Sequence, residues 1–329
     1  HDKWLCMMYP RLVLLQKLLA EDGAIFISID DNEHANLLLV CNEIFGSNNF
    51  IQDIIWNKRV SPARDAKFFS TDHEYILVYS KNKESLTTHF LPRTEKNNSY
   101  YKNPDNDPRG PWNSAAYTCN KSRDERPNLY YPITNPYTGE KIFPKESAVW
   151  AYSEETYQQH VRDNLLYWGV NGEAKQPRKK AFLSEVGDVV PRSVWSHSDV
   201  GSTQKATMEN NTIFNMRAFS YPKVSTLVER IIQIASDKDS IVLDSFAGSG
   251  TTAHAVLNMN KSDGGNRKFI LVEMGDYADT ITAERVKRVI NGYGEGKNAV
   301  EGTGGNFSYY ELGNPLFMQD GTINDEVDI

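Results

Sequence analysis

Residues 241–252, Ile-Val-Leu-Asp-Ser-Phe-Ala-Gly-Ser-Gly-Thr-Thr, constrain the fold more than any other stretch of the chain. Ser240 to Asp244 reads as a short buried strand that ends in a carboxylate. Gly248 and Gly250, one residue apart, allow the backbone a sharp turn. Ser249 to Met259 then reads as a helix. A strand that turns through Gly-x-Gly directly into a helix is half of a βαβ unit, and such units build parallel α/β sheets. The turn also lets a ligand come close to the backbone. The new helix offers unpaired N–H groups to an anionic group.

The surroundings extend this pattern. Pro222 to Ala235 has amphipathic helical spacing, with Pro222 in its first turn. Lys268 to Val272 reads as the next strand, Ala278 to Ile290 as a helix, and Phe307 to Leu312 as a late strand. The order helix–strand–helix–strand–helix predicts a parallel sheet covered on both faces. The opening of the chain is α/β as well. Trp4 to Ala20 predicts a helix, Ala24 to Ile29 a strand, His34 to Phe45 a helix ended by Gly46, and Phe50 to Trp56 and Glu74 to Tyr79 two more strands. Asp30-Asp31-Asn32-Glu33 is expected to cap the second helix.

Between these blocks the texture changes. From about Lys81 to residue 200, Asn, Pro, Gly, Tyr and charged residues dominate, as in Asn103 to Pro111 and Asn135 to Gly139. Ser153 to Trp168 is the one longer helical pattern there. The expected organisation is 1–80, an inserted region at 81–205, and 206–329. Charge follows the same division. The chain carries −7 overall, yet Lys58 to Lys205 holds 22 Lys and Arg against 18 Asp and Glu, a balance of +4 that leaves −11 for the remainder. A mildly basic insert in an acidic frame suits contact with a polyanion, although chance clustering gives the same sums.

Other classes are excluded or not indicated. No apolar run approaches the ~20 residues of a membrane-spanning helix, and the first residues do not read as a signal peptide. Cys6, Cys41 and Cys119 lie far apart without a Cys-x-x-Cys, which excludes a disulfide framework or zinc ribbon and fits a reducing cytoplasm. His73-Glu74 is not a metal pair, since no second His lies at helical spacing. No metal site is expected.

The ligand at the Gly-rich turn is left open by pattern alone. Glu273 closes the next strand about 20 residues on, where an acid can bind both ribose hydroxyls of a nucleoside. Gly248-x-Gly250-x-x-Ala253 even satisfies the dinucleotide fingerprint, so a nicotinamide or another nucleoside cofactor would serve.

Asp244-Ser-Phe-Ala-Gly-Ser-Gly-Thr-Thr252 resembles the S-adenosylmethionine loop of DNA amino-methyltransferases, and Phe219-Ser-Tyr-Pro-Lys223 resembles the motif before it. Trp4 to Leu12, Gly23 to Glu33, Glu43 to Gly46, Asn49-Phe50, His73-Glu74-Tyr75 and Tyr309 to Phe317 are similar to the modification (Mod) subunits of type III restriction–modification systems. The target-amine half comes first, then the insert, then the cofactor half, as in the β-class order. The resemblance covers both α/β blocks and fades through the insert.

It implies a doubly wound, Rossmann-like methyltransferase sheet with a loop-rich target-recognition insert. The implied activity is transfer of a methyl group from S-adenosylmethionine to adenine N6 in double-stranded DNA. The implied partners are a second copy and a restriction helicase–nuclease subunit. Cofactor contacts are expected from Asp244, Phe246, Ala247, Gly248, Ser249, Gly250, Thr251, Thr252 and Glu273, with Tyr221 and Lys223 at the methionine end and Asp30 at a strand end. Asp30 serves equally well as a helix cap. Lys58, Arg59, Arg64 and Lys67 follow a strand and are candidates for DNA phosphates, or simply a solvated loop. In the insert, Trp112, Tyr117, Lys121, Arg123, Arg126 and Tyr130 mix basic and aromatic residues, which suits DNA contact.

The family's catalytic Asp-Pro-Pro-Tyr, and its Asn and Ser variants, occur nowhere in the 329 residues. That loop accepts the hydrogens of the target amine and stacks on the flipped base. Asp107-Pro108-Arg109-Gly110 lacks the second Pro and the aromatic. The chain starts at His1 within a helical pattern, so truncation at the N-terminus, and at the C-terminus too, is expected. Without the loop, cofactor binding without efficient transfer is expected. Cytosine N4 methylation, a DNA-binding relic and a nicotinamide oxidoreductase are the alternatives.

Overall fold

The computed structural model describes residues 1–313. Within it the chain divides into two compact units: one takes His1–Phe90 and the chain from Pro191 on, the other Leu91–Val190.

The first unit opens with helix α1 (Asp2–Leu18), which runs through Pro10, followed by β1 (Ala24–Ile29) and α2 (His34–Cys41). The expected second helix ends as a single wide turn, Asn42–Gly46, and Gly46 leaves it at φ +85°. The acidic cluster does not cap α2 through a side chain. Instead the Asp30 carboxylate accepts both the backbone and side-chain N–H of Asn32, closing a turn on itself.

Strands β2 (Phe50–Asn57) and β3 (His73–Ser80) complete the local sheet. β3 lies antiparallel between β1 and β2. Its Ile76 to Ser80 are buried, which explains the continuous apolar run in that segment. Helices α1 and α2 seal the sheet through Met8, Leu12, Leu37, Cys41, Phe45, Leu77 and Tyr79. Each fully buried leucine there contributes about 1.5–3 kcal/mol. Burial pushes the Cys41 thiol up to about 12, so it is packing, not chemistry.

The second unit has a three-stranded antiparallel sheet of β4 (Trp112–Ala116), β5 (Leu166–Tyr167) and β6 (Arg178–Phe182), with β6 in the middle. Helix α3 (Glu154–Arg162) is shorter than its sequence pattern. Asn164 turns to φ +51° and the chain leaves as β5. The core is five aromatic residues, Tyr117, Tyr131, Trp150, Tyr157 and Trp168, with Ile133.

Back in the first unit, β7 (Val194–Trp195) adds parallel to β2, giving the order β1-β3-β2-β7. Next come α4 (Thr203–Phe214), α5 (Ser225–Ala235), β8 (Ile241–Asp244), α6 (Thr251–Asp263), β9 (Lys268–Leu271) and, after a wide turn at Ala278–Ala283, α7 (Glu284–Asn291). β8 and β9 pair in parallel, as the βαβ reading requires. Their inner face packs through Val242, Phe269 and Leu271 on α6 and its neighbours. Ile241, Leu243, Ile270 and Val272 on the other face are exposed, so among the described residues that face is not covered. Phe307 to Leu312 forms no strand, although Phe307 packs against the α6–α7 core. Asn314 to Phe317 of the tail motif lie outside the described residues.

Candidate functional site

The site forms where β8 ends. The Asp244 carboxylate accepts the Phe246 N–H at 3.0 Å and the Thr252 hydroxyl, which binds the strand end to the first turn of α6. Gly248 and Gly250 both take positive φ, +53° and +79°. At Gly250 the reason is double, because a Cβ there would also lie 2.9 Å from the Thr282 carbonyl oxygen. At Gly248 a Cβ would meet the Phe219 ring at 3.6 Å and the Phe246 carbonyl oxygen at 3.8 Å, both ordinary contacts.

Glu273, just past β9, turns back onto this loop. One carboxylate oxygen accepts the Gly248 N–H at 2.7 Å, and the other accepts the N–H groups of Met274 and Gly275 at 2.9 and 2.8 Å. An ionised carboxylate has about four lone-pair positions. Three are filled by backbone, so Glu273 fixes the loop against β9. Thr282 closes the turn from behind, donating to the Gly248 carbonyl at 2.6 Å. Phe246 stays half exposed and Ala247 is buried. Ser249, Thr251 and Thr252 are buried, facing the interior.

The preceding motif contributes differently from expectation. Tyr221 is 88% exposed, whereas Phe219 reaches Gly248 and packs edge-on against Tyr277, centroids 5.4 Å apart. Pro222 does not begin the helix. α5 starts at Ser225, and the Lys223 carbonyl instead accepts the Thr251 hydroxyl at 3.2 Å. The Lys223 ammonium pairs with Glu74 on β3 and lies 5.2 Å from the Trp56 ring centroid.

Glu74 also takes Lys58, at 3.0 Å. Burial alone would raise the Glu74 carboxyl, but Lys223 and Lys58 together hold it below the usual glutamate range. Lys58 is therefore committed to an ion pair rather than free for phosphate. Arg59, Arg64 and Lys67 are exposed along the β2–β3 loop with Phe68 and Phe69. Asp30 is occupied by its own turn.

In the second unit, Trp112 and Tyr117 are 4% and 2% exposed, so they are core residues and not part of a contact surface. The expectation failed for these two because a mixture of basic and aromatic residues says nothing about which of them faces inward. Lys121 and Arg123 are exposed but paired with Glu125 and Glu146, and Arg123 also stacks on Tyr130 at 4.7 Å. Arg126 is exposed. Such surface pairs are worth little and exchange readily for another anion. Asp107 is not a catalytic stand-in. It is buried, bonded by Arg109 and Lys180, and held well below the usual carboxylate range by Arg109 first and then Lys180.

Sequence reasoning missed Thr282, Phe219's contact and Glu74. Phe219 carried a signal as part of the Phe-Ser-Tyr-Pro-Lys motif and Glu74 as part of His73-Glu74-Tyr75, whereas Thr282 carried none.

Several known proteins are similar to most of this chain. A type III restriction–modification StyLTI Mod subunit of Salmonella typhimurium strain LT2 is 36% identical over 304 residues, 88% of this chain and 45% of its own length. The EcoPI Mod subunit of Escherichia phage P1 is 32% identical over 83% of this chain and 45% of its own. The type II methyltransferase M.KpnI of Klebsiella pneumoniae is 33% identical over 83% and 67%. The chain thus spans a little under half the length of these two Mod subunits. A family model described as DNA methylase, covering N6 and N4 methyltransferases, matches residues 1–284. The chain belongs to this DNA methylase family.

Proposed function

We propose that this chain is the methyltransferase body of a type III modification subunit, which binds S-adenosylmethionine and directs methylation of adenine N6 in double-stranded DNA. The observation that carries the cofactor assignment is the closed assembly at the ends of β8 and β9, in which Glu273 grips Gly248 across the turn at 2.7 Å. The residues fit such a group. The turn at Gly250 leaves no room for a side chain, a strand-end acid borders it, and a half-exposed aromatic ring, Phe246, stands beside it. When bound, the cofactor supplies an electrophilic methyl on a sulfonium.

The chain's own residues hold and orient. Asp244, through Phe246 and Thr252, sets the start of the turn. Glu273 offers its remaining acceptor capacity to a ribose hydroxyl, and Gly248 and Gly250 keep the approach open. Ala247, Ser249 and Thr251 shape the wall, while Tyr221, Lys223 and Asp30 border it in this proposal. In-line transfer depends mostly on such positioning. The family's amine-binding tetrapeptide is not among these residues, so no proton or amine contact is assigned here.

On the DNA side, Arg59, Arg64 and Lys67, with Lys121, Arg123 and Arg126 of Leu91–Val190, are taken to meet phosphates. Lys58 contributes charge through the Glu74 cluster. We take the second unit, within the expected 81–205 segment, as the target-recognition region. Two copies and a restriction helicase–nuclease subunit are its proposed partners, and the cytoplasm its proposed location. Titration calorimetry with S-adenosylmethionine and NAD tests the cofactor. Binding of the first and not the second is expected, and the reverse refutes the assignment.

A further inference from the structure

A Gly-Ser-Gly turn has little stiffness of its own. Both glycines lose more backbone entropy on ordering than other residues do, so something outside the turn must hold it. The only side chain between them is Ser249, and its hydroxyl is buried and leads to Arg285 on α7. Arg285 is fully buried; its Nε has no partner among the described residues, and its side-chain bonds are all made by the two guanidinium tips. One tip donates to Ser249 Oγ and Thr251 Oγ1, both at 2.9 Å. The other donates to Glu209 Oε2 on α4 at 2.9 Å and to His254 Nδ1 on α6 at 3.0 Å.

Glu209 is anchored in turn. It accepts the backbone N–H of Ser225 at 3.1 Å and that residue's hydroxyl. Ser225 begins α5, two residues after Lys223, whose carbonyl holds Thr251. One buried ion pair therefore touches both segments assigned to the cofactor: the glycine turn from below, and the Pro222-Lys223 stretch through Ser225. Arg suits this task because its planar fork serves four acceptors at fixed angles, which an ammonium does not.

Resting on the cofactor reading above, we propose that Arg285 and Glu209 form a positioning pair that holds the glycine turn and the Pro222-Lys223 segment in register for the nucleoside cofactor. Neither residue touches the ligand.

A buried ion pair often contributes little net stability relative to an apolar pair of similar volume. Positioning and folding are thus separable. The double variant Arg285→Met/Glu209→Leu removes both charges and keeps bulk. Ser249→Ala removes the turn's own hydroxyl, with its bonds to Arg285 and Thr251, and is the gentler second variant, read first by exchange because Ser249 also borders the cofactor. Each is compared with the unaltered chain by amide hydrogen exchange without ligand and by calorimetric titration with S-adenosylhomocysteine. Folded variants are expected to exchange amides 246–250 at least tenfold faster, with β2 and β3 unchanged. Affinity is expected to fall at least tenfold in the double variant and about threefold in Ser249→Ala. If the double variant does not fold, Ser249→Ala decides. Wild-type exchange at the turn, with affinity within a factor of two, overturns the proposal. If the unaltered chain fails to bind, the cofactor reading falls, and exchange at the turn still reports whether the pair fixes the loop.

Discussion

Three glycines with the same backbone hand separate steric from conformational control of the cofactor loop. Gly248, Gly250 and Gly264 sit at φ +53°, +79° and +69°. Alanine at any of them costs about 1–2 kcal/mol for the left-handed conformation alone. At Gly264, which ends α6, nothing lies within 4 Å of the new Cβ, so that cost is the whole effect. At Gly248 the Cβ meets Phe219 at 3.6 Å, an ordinary contact. At Gly250 it meets the Thr282 carbonyl at 2.9 Å, and backbone must move. Adding a further ~1–2 kcal/mol for that displacement, in the range of overpacking penalties, gives about 2–4 kcal/mol at Gly250. By calorimetry with S-adenosylhomocysteine, Gly264→Ala is expected to bind as wild type while melting lower. Gly248→Ala should weaken binding by about tenfold, and Gly250→Ala by about a hundredfold or more, at 1.4 kcal/mol per factor of ten. Equal affinities for Gly250→Ala and Gly264→Ala would refute the steric argument. A Gly248→Ala loss larger than that of Gly250→Ala would do the same.

Glu273→Ala is expected to weaken cofactor binding by one to two orders of magnitude, since it frees the Gly248 N–H as well as removing the acid; unchanged affinity sinks the ribose role. Glu74 titrates below its ordinary 4.5 because Lys223 and Lys58 outweigh its burial. A depressed carboxylate stabilises the fold above the unfolded-state value and loses that contribution as pH falls through the folded value. Thermal melts should therefore fall below about pH 4.5, and Glu74→Gln should flatten that decline; parallel curves for the two proteins would contradict it. Neutralising Arg59, Arg64 and Lys67 together should reduce the salt slope of DNA binding by up to ~2.7, at ~0.9 per phosphate contact. Lys58→Ala alone should lower the melting temperature more than the salt slope, and the opposite pattern would return Lys58 to the phosphates.

What could be read from sequence was local. Ile241–Asp244, the glycine turn and α6 follow from neighbouring residues, because strand propensity, positive φ and helix spacing all act within a dozen positions. The rest depended on distant partners. Lys58 reads as a phosphate or solvated-loop residue and Lys223 as a cofactor contact, and nothing in the sequence links either to Glu74 until folding brings the three together. Arg285 and Glu209 are 76 positions apart, and nothing near either predicts a buried guanidinium. Trp112 and Tyr117 read as a contact surface because composition does not reveal direction. Pro222 suggested a helix start, yet the Lys223 carbonyl was needed by Thr251, and an extended segment met that need. Phe307 to Leu312 has strand-like composition, but Phe307 alone packs on a core and Tyr309, Tyr310 and Leu312 stay exposed, with no strand to pair with among the described residues.

The second unit enters and leaves its host through a single two-bond bridge. Leu91 N–H donates to Val189 O and Val189 N–H to Leu91 O, both at 2.8 Å. A hundred residues thus begin and end at one point, so to the host chain they are an elaborate hairpin tip. Loop-closure cost grows only logarithmically, by about 0.6 kcal/mol for each doubling of length. A longer, shorter or unrelated stretch could be grafted at this bridge with little thermodynamic penalty to the host. Divergence in this part of the chain is therefore cheap in a way that changes to the glycine turn are not, and the hundred residues can change length and sequence while the host's turn stays fixed.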